Sequence, residues 1–155
     1  LGLYPSLDMY KSEIIISKYL SNDEMYGLHK ECDCFVMPSS GESFCMPAFD
    51  ATALGSYVLV NYNSGMFDYI ENKQEIIGSG ICSYKCPAIA YDRPLPYLYN
   101  GRDTWFKIDI LHLQQLMRQA VDYESSRERR REYVKKEILP QYSYNEIAKT
   151  MRQIL

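Results

Sequence analysis

The amino-acid sequence predicts an α/β fold in which helices pack on both faces of a parallel β-sheet. Three short apolar runs, at residues 13–17, 33–37 and 56–61, are rich in isoleucine, valine, phenylalanine and leucine. Such runs are typical of strands that are buried on both faces. A helix is predicted between each run and the next, and the connections are short. Strands and helices that alternate in this way form parallel sheets with right-handed crossovers.

The two helices between these strands carry recognisable start and stop signals. Ser21 is followed three residues later by Glu24, which is the spacing of a capping box and predicts a helix that runs to about Glu31. The second helix is predicted to begin near Pro47, because proline is tolerated in the first helical turn. It is predicted to end before Gly55, a residue type suited to the position just past a helix.

The segment after the third strand is predicted to be less regular. A short helix is expected at 66–71 and a short strand at 75–77. Residues 78–103 contain three prolines, three glycines and several tyrosines. This composition predicts a long loop or insertion, either a flap over a site or a partly disordered segment. Its tyrosines could stack on sugar rings or could reflect composition alone.

The last third of the chain is predicted to be helical. Asp109 is placed to cap a helix whose apolar residues recur at helical spacing. A second helix is expected at 126–139, ending at Pro140. A third is predicted to begin at Ser143, because Glu146 lies three residues later and completes another capping box.

The composition excludes several classes of function. A chain of 155 residues is large enough for one domain with a core. Its formal net charge of -3 argues against a nucleic-acid partner. No apolar run is long enough to cross a membrane, and the first ten residues do not resemble a signal peptide. The five cysteines, irregularly spaced and odd in number, argue against a disulfide scaffold or a zinc site and favour a cytoplasmic location.

The best candidate for a binding site is the turn at 38–46, between the second strand and the second helix. In an open parallel sheet, ligands bind beyond the carboxyl ends of the strands, and free N–H groups at helix starts favour an anion such as pyrophosphate. Glu42 and Asp50 bracket this turn. A carboxylate accepts hydrogen bonds through two oxygens, so each suits a pair of hydroxyls on a ribose or a hexose. The alternative is that Glu42 is a solvated loop acid and Asp50 only complements the helix dipole.

Residues 42–51, which read ESFCMPAFDA, resemble the Glu-x7-Glu motif of the family 4 glycosyltransferases, typically written EGFGLPxLEA. Further segments similar to this family follow in the family's order at 28–39, 52–60, 63–70 and 105–117. The resemblance covers about 14–155. It implies a Rossmann-like, three-layer domain at 1–155, the C-terminal, donor-binding domain of a two-domain, B-type enzyme. It also implies that the N-terminal acceptor domain is absent, so that this fragment would be inactive alone.

The resemblance implies the activity and its substrates. A retaining glycosyltransferase would take a UDP- or GDP-sugar as donor and a glycan, a lipid-linked molecule or a small molecule as acceptor, as in polysaccharide biosynthesis. No metal and no cofactor are expected in this half. By resemblance, Glu42 is catalytic at the donor sugar and Asp50 binds the nucleotide ribose. The residues expected to line the donor are Ser43, Phe44, Cys45 and Met46.

Two departures from the family motif leave an alternative open. Asp50 replaces a glutamate, which shortens its reach, and Cys45 replaces a glycine, which would crowd the donor. If these are signs of decay, the chain is a non-enzymatic α/β interaction module. Residues 127–136 are strongly basic and are expected to form a solvated helix face, with contact to anionic lipid heads at a membrane surface as the sharper hypothesis. His29 and His112 are given no role.

Overall fold

The computed structural model describes residues 14–70, 76–89, 99–122 and 127–154. In these ranges the chain forms a parallel sheet and an antiparallel hairpin. The parallel sheet has the order β1-β2-β3, with β1 at Cys34–Met37, β2 at Tyr57–Asn61 and β3 at Gly78–Ile81. The hairpin pairs β4 (Ser83–Ile89) with β5 (Asn100–Ile108). The predicted α/β class and the parallel sheet are therefore confirmed.

The α-helices of the described residues are α1 (Asn22–Glu31), α2 (Met46–Ala53), α3 (Ile110–Asp122), α4 (Arg127–Tyr133) and α5 (Tyr144–Ile154). The chain continues from α4 through a π-helical turn, Val134–Ile138, and a 3-10 turn, Leu139–Tyr142. The segment before the proline therefore ends at Ile138, close to the predicted bound, and Pro140 lies in the first turn of the 3-10 segment, a position that proline tolerates. Ser126, the predicted start of this helix, lies outside the described residues.

The three predicted N-cap side chains accept hydrogen bonds from backbone N–H groups of their helices, and for Ser21 and Glu24 both bonds of the capping box form. The Ser21 hydroxyl accepts a hydrogen bond from the Glu24 N–H at 3.3 Å, and the Glu24 carboxylate accepts one from the Ser21 N–H at 2.9 Å. Asp109 Oδ1 accepts hydrogen bonds from the backbone N–H groups of the first turn of α3. The Ser143 hydroxyl accepts one from the Glu146 N–H at 3.4 Å. These caps form where the sequence placed them because each depends on residues only three positions apart.

The core lies on both faces of the fully buried strand β2. Val58 and Val60 belong to an apolar cluster that includes Ala48 and Ala51 of α2. Tyr57 and Leu59 instead pack with Leu116 of α3, in a second cluster. Because successive side chains of a strand point to opposite faces, helices cover β2 on both sides. Burying each of the larger side chains contributes roughly 1.5–3 kcal/mol.

The strand predicted at 13–17 is not formed in residues 14–17, and residue 13 lies outside the described residues. Ile14, Ile15 and Ile16 are all exposed, Ile14 at 89%. A strand needs a neighbouring strand to satisfy its backbone groups. No described residue pairs with this run, so its β-branched side chains are not sufficient to form one.

The long loop predicted at 78–103 is wrong for 78–89 and 100–103, which form β3, β4 and the start of β5; residues 90–98 lie outside the described residues. The glycines here allow close packing inside the sheet. A Cβ on Gly78 would lie 2.3 Å from the Val58 carbonyl oxygen, and one on Gly80 would lie 2.7 Å from the Phe67 ring. Glycine in a strand often marks such an approach.

Two short elements before β3 also differ from expectation. The helix predicted at 66–71 is a 3-10 turn, Gly65–Phe67. The strand predicted at 75–77 begins later, at Gly78, with residues 76–77 in a turn. Residues 71–75 lie outside the described residues.

Candidate functional site

The loop after β1 and the turn after β2 are bound together at the carboxyl edge of the parallel sheet. The Glu42 carbonyl accepts hydrogen bonds from the Gly65 N–H at 3.2 Å and from the Ser64 hydroxyl at 2.9 Å. A Cβ on Gly65 would lie 2.3 Å from the Ser43 carbonyl oxygen. Glycine is therefore required at this contact, which fixes the backbone of the loop that carries Glu42.

Asn61, the last residue of β2, organises this edge. Its Nδ2 donates to the carbonyl oxygens of Ser39 at 2.9 Å and Phe106 at 2.8 Å. Its Oδ1 accepts from the Asn63 N–H at 3.1 Å and the Ser83 hydroxyl at 2.7 Å. The side chain is fully buried, and these four bonds match the capacity of an amide. The sequence signal for this residue, a polar side chain that ends an apolar strand, was missed.

Strand β5 borders the same loop. The Phe106 N–H donates to the Ser40 carbonyl at 3.1 Å. The Trp105 ring comes within 3.9 Å of the position that a Cβ of Gly41 would take. The loop that carries Glu42 is therefore bonded to β5 through Ser40, and the Trp105 ring lies close to Gly41.

The loop exposes some predicted donor residues and buries others. Glu42, Ser43 and Met46 are exposed, so their side chains can reach a ligand. Phe44 packs against the rings of Phe49, Tyr69 and Tyr142, at centroid distances of 4.9, 5.4 and 5.4 Å. Its ring, which is partly buried, therefore anchors the loop to the core.

The aromatic cluster around Phe44 contains a buried hydroxyl. Tyr69 is almost fully buried, and its Oη has no hydrogen-bond partner. Burial raises the pKa of this phenol above its ordinary value, because it disfavours the charged form. The cluster is therefore a packing core and not an acid–base group.

Cys45 begins α2 with a left-handed backbone, φ 55° and ψ 77°. This is the region that glycine adopts most readily, and glycine is the residue of the resembling motif at this position. The Cys45 thiol is buried in the main apolar cluster, and burial raises its pKa. Its side chain therefore contributes to packing while its backbone shapes the start of the helix.

Asp50 lies in a cavity of about 350 Å³ between α1, β1 and α2. The other polar residue in the cavity wall is His29, which is buried and packs against Phe35 with a ring distance of 5.3 Å. The remaining lining is apolar or weakly polar: Met25, Leu28, Cys32, Phe35, Met37 and Pro47. A volume of this size is at the lower end of small-molecule sites.

The six predicted site residues differ in their surroundings. Asp50 lines the cavity beside α1, whereas Glu42 lies in the exposed loop. Among the described residues, no three side chains of the metal-ligating types lie together, and the expectation of no metal stays a prediction. Within the same residues, no helix combines the length and apolar character that crossing a membrane requires.

Two arginines of the basic stretch 127–136 hold α4 to the opposite, amino edge of the sheet. Arg130 is buried and its Nε donates to the Gly55 carbonyl at 2.9 Å. Arg127 pairs with the Asp33 carboxylate at 3.0 Å and donates to the Lys30 carbonyl. These two cations have structural partners, and contact of the remaining stretch with a membrane surface stays a prediction.

A protein-family model described as "Glycosyl transferases group 1" matches residues 9–96. No curated protein and no solved structure matches the chain. The matched range contains the loop of Glu42, the cavity of Asp50 and all three strands of the parallel sheet. It covers more than half of the 155 residues. The chain therefore belongs to the group 1 glycosyltransferase family.

Proposed function

We propose that this chain binds the donor, a nucleoside diphosphate sugar, as the donor-binding half of a retaining glycosyltransferase with a Rossmann-like, three-layer fold. Membership of the group 1 family supports a role in glycosyl transfer. The observation that carries the proposal for the donor is the position of Asp50 in the wall of a largely apolar cavity. A nucleoside has a flat base, which apolar walls can bury, and a ribose with two neighbouring hydroxyls, which one carboxylate can accept.

The diphosphate is assigned to the start of α2. Cys45, the N-cap residue, makes no side-chain cap. Pro47 has no N–H and the Ala48 N–H donates to the Cys45 carbonyl at 3.0 Å, so among the first helical residues Met46 is the one assigned to supply an N–H to a phosphate. The free N–H groups and the dipole of a helix start favour an anion. The Pro47 ring lies in the first turn and also lines the Asp50 cavity, which supports a continuous path from nucleoside to phosphate.

The sugar end of the donor is assigned to the loop of Glu42. Departure of the diphosphate leaves positive charge at the sugar carbon, and a fixed carboxylate stabilises such charge in the transition state. The hydrogen bonds from Ser64 and Gly65 to the Glu42 carbonyl fix the backbone beneath this side chain. The proposed roles are therefore ribose binding for Asp50 and electrostatic catalysis for Glu42.

Isothermal titration with UDP and with GDP tests the two roles separately. We expect Asp50→Asn to weaken binding of the preferred nucleotide about 10- to 100-fold, the range for loss of a hydrogen bond to a charged group. We expect Glu42→Gln to bind the nucleotide like the wild type, because its carboxylate contacts the sugar. Sugar transfer in the intact enzyme should fall strongly in Glu42→Gln.

Glu128→Gln is the matched control, because it removes an exposed carboxylate that does not line the cavity; it should leave binding unchanged. Saturable binding that is equal in the wild type and in Asp50→Asn would contradict the ribose assignment. Failure of the wild type to bind either nucleotide would favour the non-enzymatic interaction module.

A further inference from the structure

We propose that the outer face of the β4–β5 hairpin binds a pyranose ring of the acceptor saccharide, stacked on Tyr99 and Trp105 beside the Glu42 loop. This inference rests on the proposed function, because it takes the donor nucleoside to occupy the Asp50 cavity. It goes further by assigning the acceptor to a part of this chain outside the Glu-x7-Glu motif.

The strand register places aromatic and charged side chains together on this face. Trp105 lies opposite Cys86, and Lys107 lies opposite Tyr84. Opposed residues of an antiparallel pair share a face, as do residues two apart on a strand. Tyr84, Trp105 and Lys107 are therefore on one side of the hairpin. Tyr84 is 53% exposed and Lys107 is also exposed, so this side faces solvent.

Tyr99 extends the aromatic surface of Trp105. The two ring centroids are 4.9 Å apart and the ring planes are tilted by 52°. Tyr99 is 37% exposed and Trp105 is half-buried, so the pair forms an angled platform that is open to solvent. The face of an aromatic ring carries negative charge density, which attracts the slightly positive C–H groups on the face of a sugar ring. The Lys107 ammonium can donate to the hydroxyls at the edge of such a ring.

The platform is fixed to the loop that carries the proposed catalytic carboxylate. The Trp105 ring lies 3.9 Å from where a Cβ of Gly41 would be, one residue before Glu42. The Phe106 N–H donates to the Ser40 carbonyl, and Asn61 donates to the carbonyls of both Ser39 and Phe106. A saccharide on these rings is therefore held next to the sugar end of the donor, where an acceptor is required.

Trp105 is the single tryptophan of the chain, so its fluorescence reports directly on this surface. The intact protein is titrated with maltohexaose, cellohexaose, mannohexaose and chitohexaose, with excitation of tryptophan alone. We expect a saturable change in emission with at least one of them and none with UDP. No saturable change with any oligosaccharide would overturn the proposal. An equal change with UDP would also overturn it, because the rings would then bind the base.

Calorimetry with the responding oligosaccharide then separates this site from the donor site. Trp105→Ala should weaken binding at least about tenfold, the scale of stacking on an aromatic side chain, and Trp105→Phe should restore most of it. If Trp105→Ala fails to fold, Tyr99→Ala provides the same comparison. Tyr144→Ala removes a 96% exposed tyrosine of α5 and should have no effect. Asp50→Asn should weaken nucleotide binding and keep oligosaccharide binding. Oligosaccharide binding that is unchanged in Trp105→Ala or Tyr99→Ala would refute the platform.

Discussion

Cys45 combines a backbone suited to glycine with a side chain suited to the core. A left-handed conformation costs a residue with a Cβ roughly 1–2 kcal/mol, and Cys45 adopts it at φ 55°. Burial of its thiol in the main cluster offsets part of this cost. The left-handed geometry of the loop is therefore kept although cysteine replaces the glycine of the family motif. The resemblance identified this position, and the backbone angle of Cys45 shows why the motif has glycine there.

Substitutions of Cys45 can separate the backbone effect from the packing effect. Cys45→Ala keeps the backbone strain and loses the sulfur, whereas Cys45→Gly also loses the Cβ but relieves the strain. We expect the glycine variant to be more stable than the alanine variant by about 1 kcal/mol, although it buries less surface. Urea denaturation measures the difference. A glycine variant less stable than the alanine variant would show that this conformation is not strained.

At the scale of elements, structure that depends on neighbouring residues could be predicted from the sequence. Structure that depends on contacts between distant residues could not. The cap of Ser21 and Glu24 is encoded within four residues, and strands β1 and β2 follow from apolar runs. The strand character of Gly78 and Gly80 depends on Val58 and Phe67, which are distant in sequence. Glycines that make room for such neighbours resemble those of a loop when the sequence is read alone.

Asn61 connects the loop after β1, the turn after β2 and the hairpin, so its removal should loosen all three. Asn61→Ala leaves the partly buried carbonyls of Ser39 and Phe106 without their donor, and we expect a loss of about 2–4 kcal/mol. Asn63→Ala is the matched control. Its side chain donates to the same Ser83 hydroxyl, but in an exposed position, and should cost less than about 1 kcal/mol.

Urea denaturation monitored by Trp105 fluorescence measures both variants, because the tryptophan lies beside this network. Equal losses for Asn61→Ala and Asn63→Ala would contradict the central role given to Asn61.

At the scale of the whole molecule, the motif predicted which elements carry Glu42 and Asp50 better than it predicted the shape of the surrounding cavity. Asp50 was placed correctly just after the start of α2, and Glu42 in the loop before it. The cavity around Asp50 is formed mainly by residues of α1 and β1, such as Met25 and Phe35. Which face of α1 meets α2 is decided by packing, so the inclusion of His29 in the wall could not be read from the sequence.

Buried thiols and phenols predict how the stability of the whole molecule depends on pH. Burial raises the pKa of Cys34 from 9.0 to about 11, and it also raises the pKa values of Cys45, Tyr69 and Tyr142. The folded protein therefore holds these protons more tightly than the unfolded chain. Their contribution to stability is complete below pH 9 and is lost progressively as the pH rises to about 11 for Cys34.

We expect the urea midpoint to fall as the pH is raised from about 8.5 to 10.5, the interval in which unfolded thiols ionise first. In Cys34→Ala the fall should be shallower, since one of the groups with a raised pKa is gone. Cys82→Ala removes an exposed thiol and should keep the wild-type slope. A midpoint that rises over this interval, or an identical slope in Cys34→Ala, would rule out this linkage.

The arginine contacts of α4 limit which positions of such a protein can change in evolution. Gly55, at φ 88°, has no room for a Cβ against Arg127, and its carbonyl accepts from Arg130. These contacts of Gly55 with Arg127 and Arg130 lie at the end of the sheet away from the Glu42 loop. Substitutions around the loops at the carboxyl edge can therefore accumulate without disturbing these contacts, whereas even a modest change at Gly55 would weaken the attachment of α4 to the amino edge and leave the Glu42 loop unaltered.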